Sequence, residues 1–180
     1  MKNSVILRSV QVALMAVFIA VCAFVTIPFP VPFTLQTLGV YLTLLLLKGK
    51  RGTCAIALYI LLGVCGVPVF SSFGSGAGYL LGPTGGYLLG FILLGGFTIL
   101  TEALCKKSLS PYLTLSIGTL LCYAIGTVWF VFFTHTSPLQ GILLCTLPYV
   151  LPDALKLIIA VQVAKRLEKT KILNNNSKNN

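Results

Sequence analysis

Acidic side chains are nearly missing from this sequence. Glu102, Asp153 and Glu168 are the only three in 180 residues, and His135 is the only histidine. A metal centre built on a histidine cluster is thereby excluded. An aspartyl protease working inside the membrane would lack its second carboxylate, because only Asp153 lies within a central apolar run. A serine protease of that kind needs a Ser–His pair inside the bundle, and His135 falls in a connecting segment. General acid–base catalysis has few groups to work with, so the chain reads as a non-enzyme with no cofactor. The phosphate-binding loop ending in Gly-Lys-Ser/Thr is absent: KGKRGT (48–53) imitates it with Arg51 in the Ser/Thr place. C-x-x-C is absent too. The six cysteines (22, 54, 65, 105, 122, 145) are scattered through apolar segments and read as small packing residues.

What is abundant is apolar surface. The chain is 57% hydrophobic and 9% charged, with mean hydropathy +0.97, against about 25% charged in soluble domains. A fold of this size cannot hide so much apolar surface, so its solvent is lipid. Punctuation by Pro, Gly and basic residues leaves six apolar segments, at about 10–27, 34–47, 53–66, 83–105, 112–133 and 142–164. The runs are continuous rather than alternating, which argues against a β-barrel. The expectation is an all-α polytopic membrane protein with six transmembrane helices. Lys2 and Arg8 before the first run imitate a signal peptide, but the run is too long and lacks a cleavage site, so it is read as a retained helix. Residues 1–170 form a single transmembrane domain in this reading. Residues 171–180, polar and aperiodic, are expected to be a disordered cytoplasmic tail.

The formal net charge of +10 would ordinarily raise nucleic acid as a partner. The placement of the charges says otherwise. Lys2 and Arg8 precede helix one; Lys48, Lys50 and Arg51 join helices two and three; Lys106 and Lys107 join four and five; Lys165, Arg166, Lys169, Lys171 and Lys178 follow six. The connections 28–33, 67–82 and 134–141 hold no Lys or Arg. Basic loops stay in the cytoplasm, so both termini are placed there, and the charge is topological and suited to an anionic bilayer surface. Nucleic acid is not an expected partner. On this layout Glu102 pairs with Lys106 at i+4 on the cytoplasmic surface.

The thirteenth basic residue, Lys156, lies in no loop. It sits three positions after Asp153 inside the last apolar segment, one turn away on the same helix face. A charge at the bilayer centre costs roughly 2.5–3.5 kcal/mol, so the pair needs a reason. One reading is a structural pin for helix six; the other is a polar anchor for a ligand. Pro152 suits the first helical position, which makes 139–151 a partly irregular lead-in with Pro138, Pro148 and Pro152 as breaks. Helices two and three are only about 21 Å long, against a hydrocarbon core of about 30 Å. The outward segments PFPVPFTLQ (28–36) and FSSFGSGAGYLLGPTGGY (70–87) must therefore dip into the bundle, where irregular backbone is tolerated if it lines a cavity. They bring Gln36, Ser71, Ser72, Thr84 and Tyr87 towards Asp153 and Lys156, which is the makeup of an outward-opening small-molecule site.

Small residues recur. Gly74, Gly78, Gly82, Gly86 and Gly90 are spaced by four. Pro83 is expected to start helix four, so Gly86 and Gly90 share a close-approach face, while the part before it is a loop with unusual backbone angles. Ala16 and Ala20 form a small-x-x-x-small pair, either a face for another membrane helix or ordinary packing within the chain.

PFTLQ (32–36), KRG (50–52), GVPVF (66–70), LGPTGGYLLGF (81–91) and LPDALK (151–156) together make the chain, from about Ala13 to Lys165, resemble the BioY family, the biotin-specific S components of energy-coupling-factor (ECF) transporters. The resemblance implies a bacterial cell (inner) membrane protein with an outward-facing biotin pocket. It also implies partnership with a membrane T component and two cytoplasmic ATPases. It implies that Asp153 and Lys156 contact biotin, that Gln36 and Tyr87 line the pocket, and that Ala16 and Ala20 face the T component. In SSFGSG (71–76) the chain departs from relatives, and Ser72 stands where an amide side chain helps bind biotin in them. The competing functional reading is a stand-alone oligomeric facilitator for biotin or another small anion. With no ATP site and no evident inverted repeat, uphill transport needs energy from another subunit.

Overall fold

The computed structural model describes residues 2–28, 31–104 and 110–177. Helix α1 (Lys2–Phe24) leads into a two-stranded antiparallel clip, β1 (Thr26–Ile27) against β2 (Phe33–Thr34), with Thr26 opposite Thr34. Then come α2 (Gln36–Val64), a 3-10 turn (Ser71–Phe73), α3 (Ala77–Leu80), α4 (Gly85–Leu104), α5 (Pro111–Thr134), α6 (Pro138–Cys145) and α7 (Leu147–Ser177). The clip closes the proline-rich segment at its base. Proline supplies no N–H for a longer ladder.

The stretches Val5–Phe24, Gly85–Leu104, Pro111–Thr134 and Pro138–Thr170 are each long and apolar enough to cross a membrane. α2 adds two shorter rods. Its backbone leaves the helical region at Lys48 (φ 62°, ψ 169°), and the chain doubles back there. The Gln36 amide donates to the Tyr59 hydroxyl at 2.9 Å, although 23 residues of straight helix would hold them about 34 Å apart. The separate second and third helices of the sequence reading are thus two arms of one hairpin, 36–47 and 49–64, about 18 and 24 Å long. The turn is tighter than the KGKRG stretch suggested, with only Lys48 off helical geometry. Gly52 allows it, since a Cβ there would meet Leu44 Cα at 3.0 Å.

The membrane character is visible on the perimeter. Leu14, Val17 and Val21 on α1, Leu120, Val128 and Phe132 on α5, and Leu151 and Leu155 on α7 are large apolar side chains left exposed. In water such a surface would aggregate; in a bilayer it is the expected exterior. The interior is held by Ile19, Tyr41, Leu44, Ile56, Tyr59, Phe70, Leu94 and Leu115.

Gly86 and Gly90 face α5, as expected. A Cβ at Gly90 would lie 2.5 Å from Cys122 Sγ, and one at Gly86 2.3 Å from Trp129 Cβ. The earlier glycines do not continue that face: Gly78 has open space around it. The loop they belong to does carry unusual angles, with Gly76 at φ 87° and, less expectedly, Ser72 and Phe73 at φ 56° and 59°. Ala16 and Ala20 are buried in the chain's own core rather than on a free face. The same helix, α1, packs closely on the first arm of α2, where a Cβ at Gly39 would meet Ile19 Cα at 3.3 Å.

Two further corrections concern charge and proline. The Glu102 carboxylate accepts from the Gly49 backbone N–H at 2.9 Å and so caps the second arm of α2. Lys106, its expected partner, lies outside the described residues. The lead-in 139–151, expected to be partly irregular, is helical except at one break. Ser137 and Gln140 form a reciprocal capping box that starts α6 at Pro138. The chain breaks briefly at Thr146 (φ −118°, ψ −57°), and α7 starts at Leu147, so Pro152 sits inside the helix rather than at its start. Of the tail expected to be disordered, residues 171–177 continue α7, and residues 178–180 lie outside the described residues.

Candidate functional site

The site is assembled at the end of the bundle whose connections lack Lys and Arg. α7 presents Asp153 and Lys156 one turn apart, both almost fully buried at 4% and 6% exposure. Lys156 Nζ donates to Asp153 Oδ1 at 2.7 Å, to the Thr34 carbonyl at 2.7 Å and to Thr37 Oγ1 at 3.1 Å. It also lies 4.2 Å from the centre of the Phe33 ring. Asp153 Oδ1 further accepts from Thr37 Oγ1 at 2.9 Å, and Oδ2 accepts from the Tyr123 hydroxyl at 2.6 Å. All three ammonium hydrogens are therefore engaged. The carboxylate has about four acceptor positions, of which three are filled, leaving one on Oδ2.

This is the only ion pair among the described residues. A pair buried so deeply repays its desolvation only when every partner is placed, and here β2, the first turn of α2 and the middle of α5 all contribute. The proline clip matters for this reason: it fixes Phe33 and the Thr34 carbonyl against Lys156.

Beside the pair lies a cavity lined by Gln36, Thr37, Tyr41, Tyr79, Thr84, Tyr87, Tyr123 and Tyr149 among others, with Phe70, Leu88, Phe91 and Leu94 as apolar wall. The polar groups are held in order. Gln36 is tied to Tyr59, Tyr41 shares a 2.7 Å hydrogen bond with Thr119, and the Tyr87 hydroxyl donates to the Cys145 carbonyl at 3.1 Å. Tyr149 donates to the Val31 carbonyl, and Ser71 bonds Tyr79. Aromatic walls with a few oriented polar groups are what a small, partly apolar solute with hydrogen-bonding ends requires. The free volume is about 70 Å³, and the segments 31–36 and 70–79 supply Val31, Thr34, Gln36, Phe70, Ser71 and Tyr79 to its lining.

Four of the five site residues expected from sequence, Gln36, Tyr87, Asp153 and Lys156, meet around this cavity. Ser72 does not: it is exposed at the top of the loop, and its neighbour Ser71 lines the cavity instead. Thr37 and Tyr123, the two side-chain donors that hold Asp153, were not singled out from sequence. A signal for Tyr123 existed. Thr119, Tyr123 and Thr127 recur every fourth residue in the middle of α5, a polar stripe on one face, and their hydroxyls bond to Tyr41, Asp153 and Tyr87 respectively.

The family model described as "BioY family" matches residues 1–172.

The chain belongs to the BioY family.

It is 41% identical over 165 residues to the biotin transporter BioY of Thermotoga maritima, covering 91% of this chain and 96% of that one. It is 38% identical to the biotin transporter BioY2 of Lactococcus lactis subsp. cremoris, covering 88% of each. It is 36% identical to the probable biotin transporter BioY of Pyrococcus horikoshii, covering 90% and 98%. Among solved structures, the S-component for biotin from an ECF-type ABC transporter superposes with a TM-score of 0.81 at 27% identity, over 94% of both chains. Family membership and the apolar perimeter together make the chain a multi-pass membrane transport protein, not an enzyme.

Proposed function

We propose that this chain is the biotin-capturing S component of an ECF-type vitamin importer, a single transmembrane domain over residues 1–170 with both termini in the cytoplasm of a bacterial cell. The cavity beside Asp153 opens to the outside of the cell (inner) membrane. The observation that carries the reading is the buried Asp153–Lys156 pair facing a cavity walled by aromatic and hydroxyl groups, in a chain whose relatives are biotin transporters.

The chemistry follows from the hydrogen-bond count. The open position on Asp153 Oδ2 accepts a ureido N–H of biotin. Lys156 turns from the Thr34 carbonyl or Thr37 to donate to a ligand oxygen, each charge-assisted bond contributing about 1.5–3 kcal/mol. Gln36 and Tyr87 orient the guest, Ser71 does so in place of Ser72, and Phe70, Leu88 and Phe91 cover its apolar body. Release into the cytoplasm is driven by a membrane T component and two cytoplasmic ATPases, since capture alone cannot move a solute uphill. Biotin uptake by cells carrying this chain is the test. Uptake that stops when the coupling ATPases are deleted is the expected result; undiminished uptake would make the chain a facilitator acting alone.

A further inference from the structure

A second cavity, of about 480 Å³, lies at the opposite end of the bundle. It opens between the end of the first α2 arm, the end of α4, the start of α5 and the second half of α7. Its floor is apolar, with Leu44, Leu115, Val161 and Ala164. Its walls carry the buried hydroxyl residues Thr98, Thr101 and Thr114. At its rim stand Lys48 and Lys165 from different helices, with Glu102 and Glu168. One Glu102 oxygen is already used by the Gly49 N–H, and Glu168 lies nearly one turn further out than Lys165. A neighbouring groove shares Lys48 and Glu102 and adds Lys50 and Arg51. Neither lysine forms an ion pair among the described residues; the rim itself has two cationic heads and two carboxylates, and with the adjoining groove the two hollows hold four cationic heads against two carboxylates, one of them bonded to the backbone.

This end of the bundle carries the basic residues, so it lies at the inner membrane–water boundary, where phosphate headgroups stand. A greasy floor, with two unpaired lysines at the rim and two more basic side chains in the adjoining groove, fits a molecule with an apolar body and an anionic phosphodiester. We infer that this inner cavity seats the headgroup and upper acyl region of one anionic phospholipid, its phosphate bridged by Lys48 and Lys165. The site is separate from the outer cavity, with which it shares no lining residue. A lipid held there ties α2, α4, α5 and α7 together on the inner side.

The test is lipid retention by the purified full chain, measured by native mass spectrometry after equilibration with phosphatidylglycerol, phosphatidylethanolamine or phosphatidylcholine. One phosphatidylglycerol per chain should persist where phosphatidylcholine is lost, and millimolar inorganic phosphate should not displace it. Lys48→Gln and Lys165→Gln should each weaken retention about fivefold, at ~1 kcal/mol per basic residue near the membrane surface. Lys169→Gln, on the same side but outside the cavity lining, should leave it unchanged. Biotin binding by each variant reports that the fold survives. Equal retention of the three lipids, displacement by free phosphate, or equal losses in the Lys165 and Lys169 variants would overturn the proposal.

Discussion

Removing the charges of Asp153 and Lys156 together separates the two explanations for a buried ion pair. Lys156→Met alone leaves the carboxylate buried without its cation. Breaking such a pair from one side costs about 3–5 kcal/mol of stability, so that variant should be made poorly and reports little about function. Asp153→Asn with Lys156→Met is different. The asparagine carbonyl still accepts from Thr37, and methionine fills the space of the lysine stem beside Phe33. The Thr34 carbonyl loses its donor, a loss of about 1 kcal/mol. The double variant should therefore fold nearly as well as the parent. It should bind biotin at least about tenfold more weakly, the equivalent of one lost charge-assisted bond at ~1.5 kcal/mol. Thermal unfolding and titration calorimetry on the same detergent preparation measure both quantities. A double variant that binds biotin with unchanged affinity would show that the pair only pins α7 to α2 and α5, and the functional reasoning would fail.

Two other expectations are independent of that pair. Gly90→Ala should lower the unfolding temperature by several degrees, because its Cβ would stand 2.5 Å from Cys122 Sγ and overpacking costs about 1–3 kcal/mol; an unchanged transition would mean that α4 and α5 are less tightly packed than the geometry indicates. Ser71→Ala should weaken biotin binding by a few-fold while Ser72→Ala leaves it unchanged, as calorimetry on the pair of variants would show; the reverse order would put Ser72 back in the pocket.

The membrane character, the sidedness and the pair itself were legible in the sequence because each depends on charge or on long apolar runs, which need no tertiary information. Lys156 stood out because every other basic residue lies outside the apolar segments. Gly86 and Gly90 were legible because a spacing of four on a single helix fixes one face. What escaped reading depends on contacts between distant segments. The reversal between helices two and three is legible in the basic KGKR stretch, but its tightness is not: only Lys48 leaves helical geometry, and Glu102 from another helix holds the Gly49 N–H. Three prolines in 138–152 suggest a partly irregular lead-in, yet one starts a helix, one sits in the first turn of the next, and the third is absorbed inside it. Ala16 and Ala20 present the same spacing whether they meet a partner or the chain itself; their burial in this chain is a tertiary property that spacing does not carry. The exchange of Ser72 for Ser71 is a matter of one residue in a loop whose left-handed backbone angles at Ser72 and Phe73 sequence does not reveal.

Calorimetry of the purified wild-type chain with biotin, in the absence of ATP and of any other subunit, tests the central claim most directly. A saturable one-to-one heat with biotin, weakened when the biotin carboxylate is methylated, is the predicted result. The absence of any heat with biotin at concentrations that saturate its relatives would contradict the account.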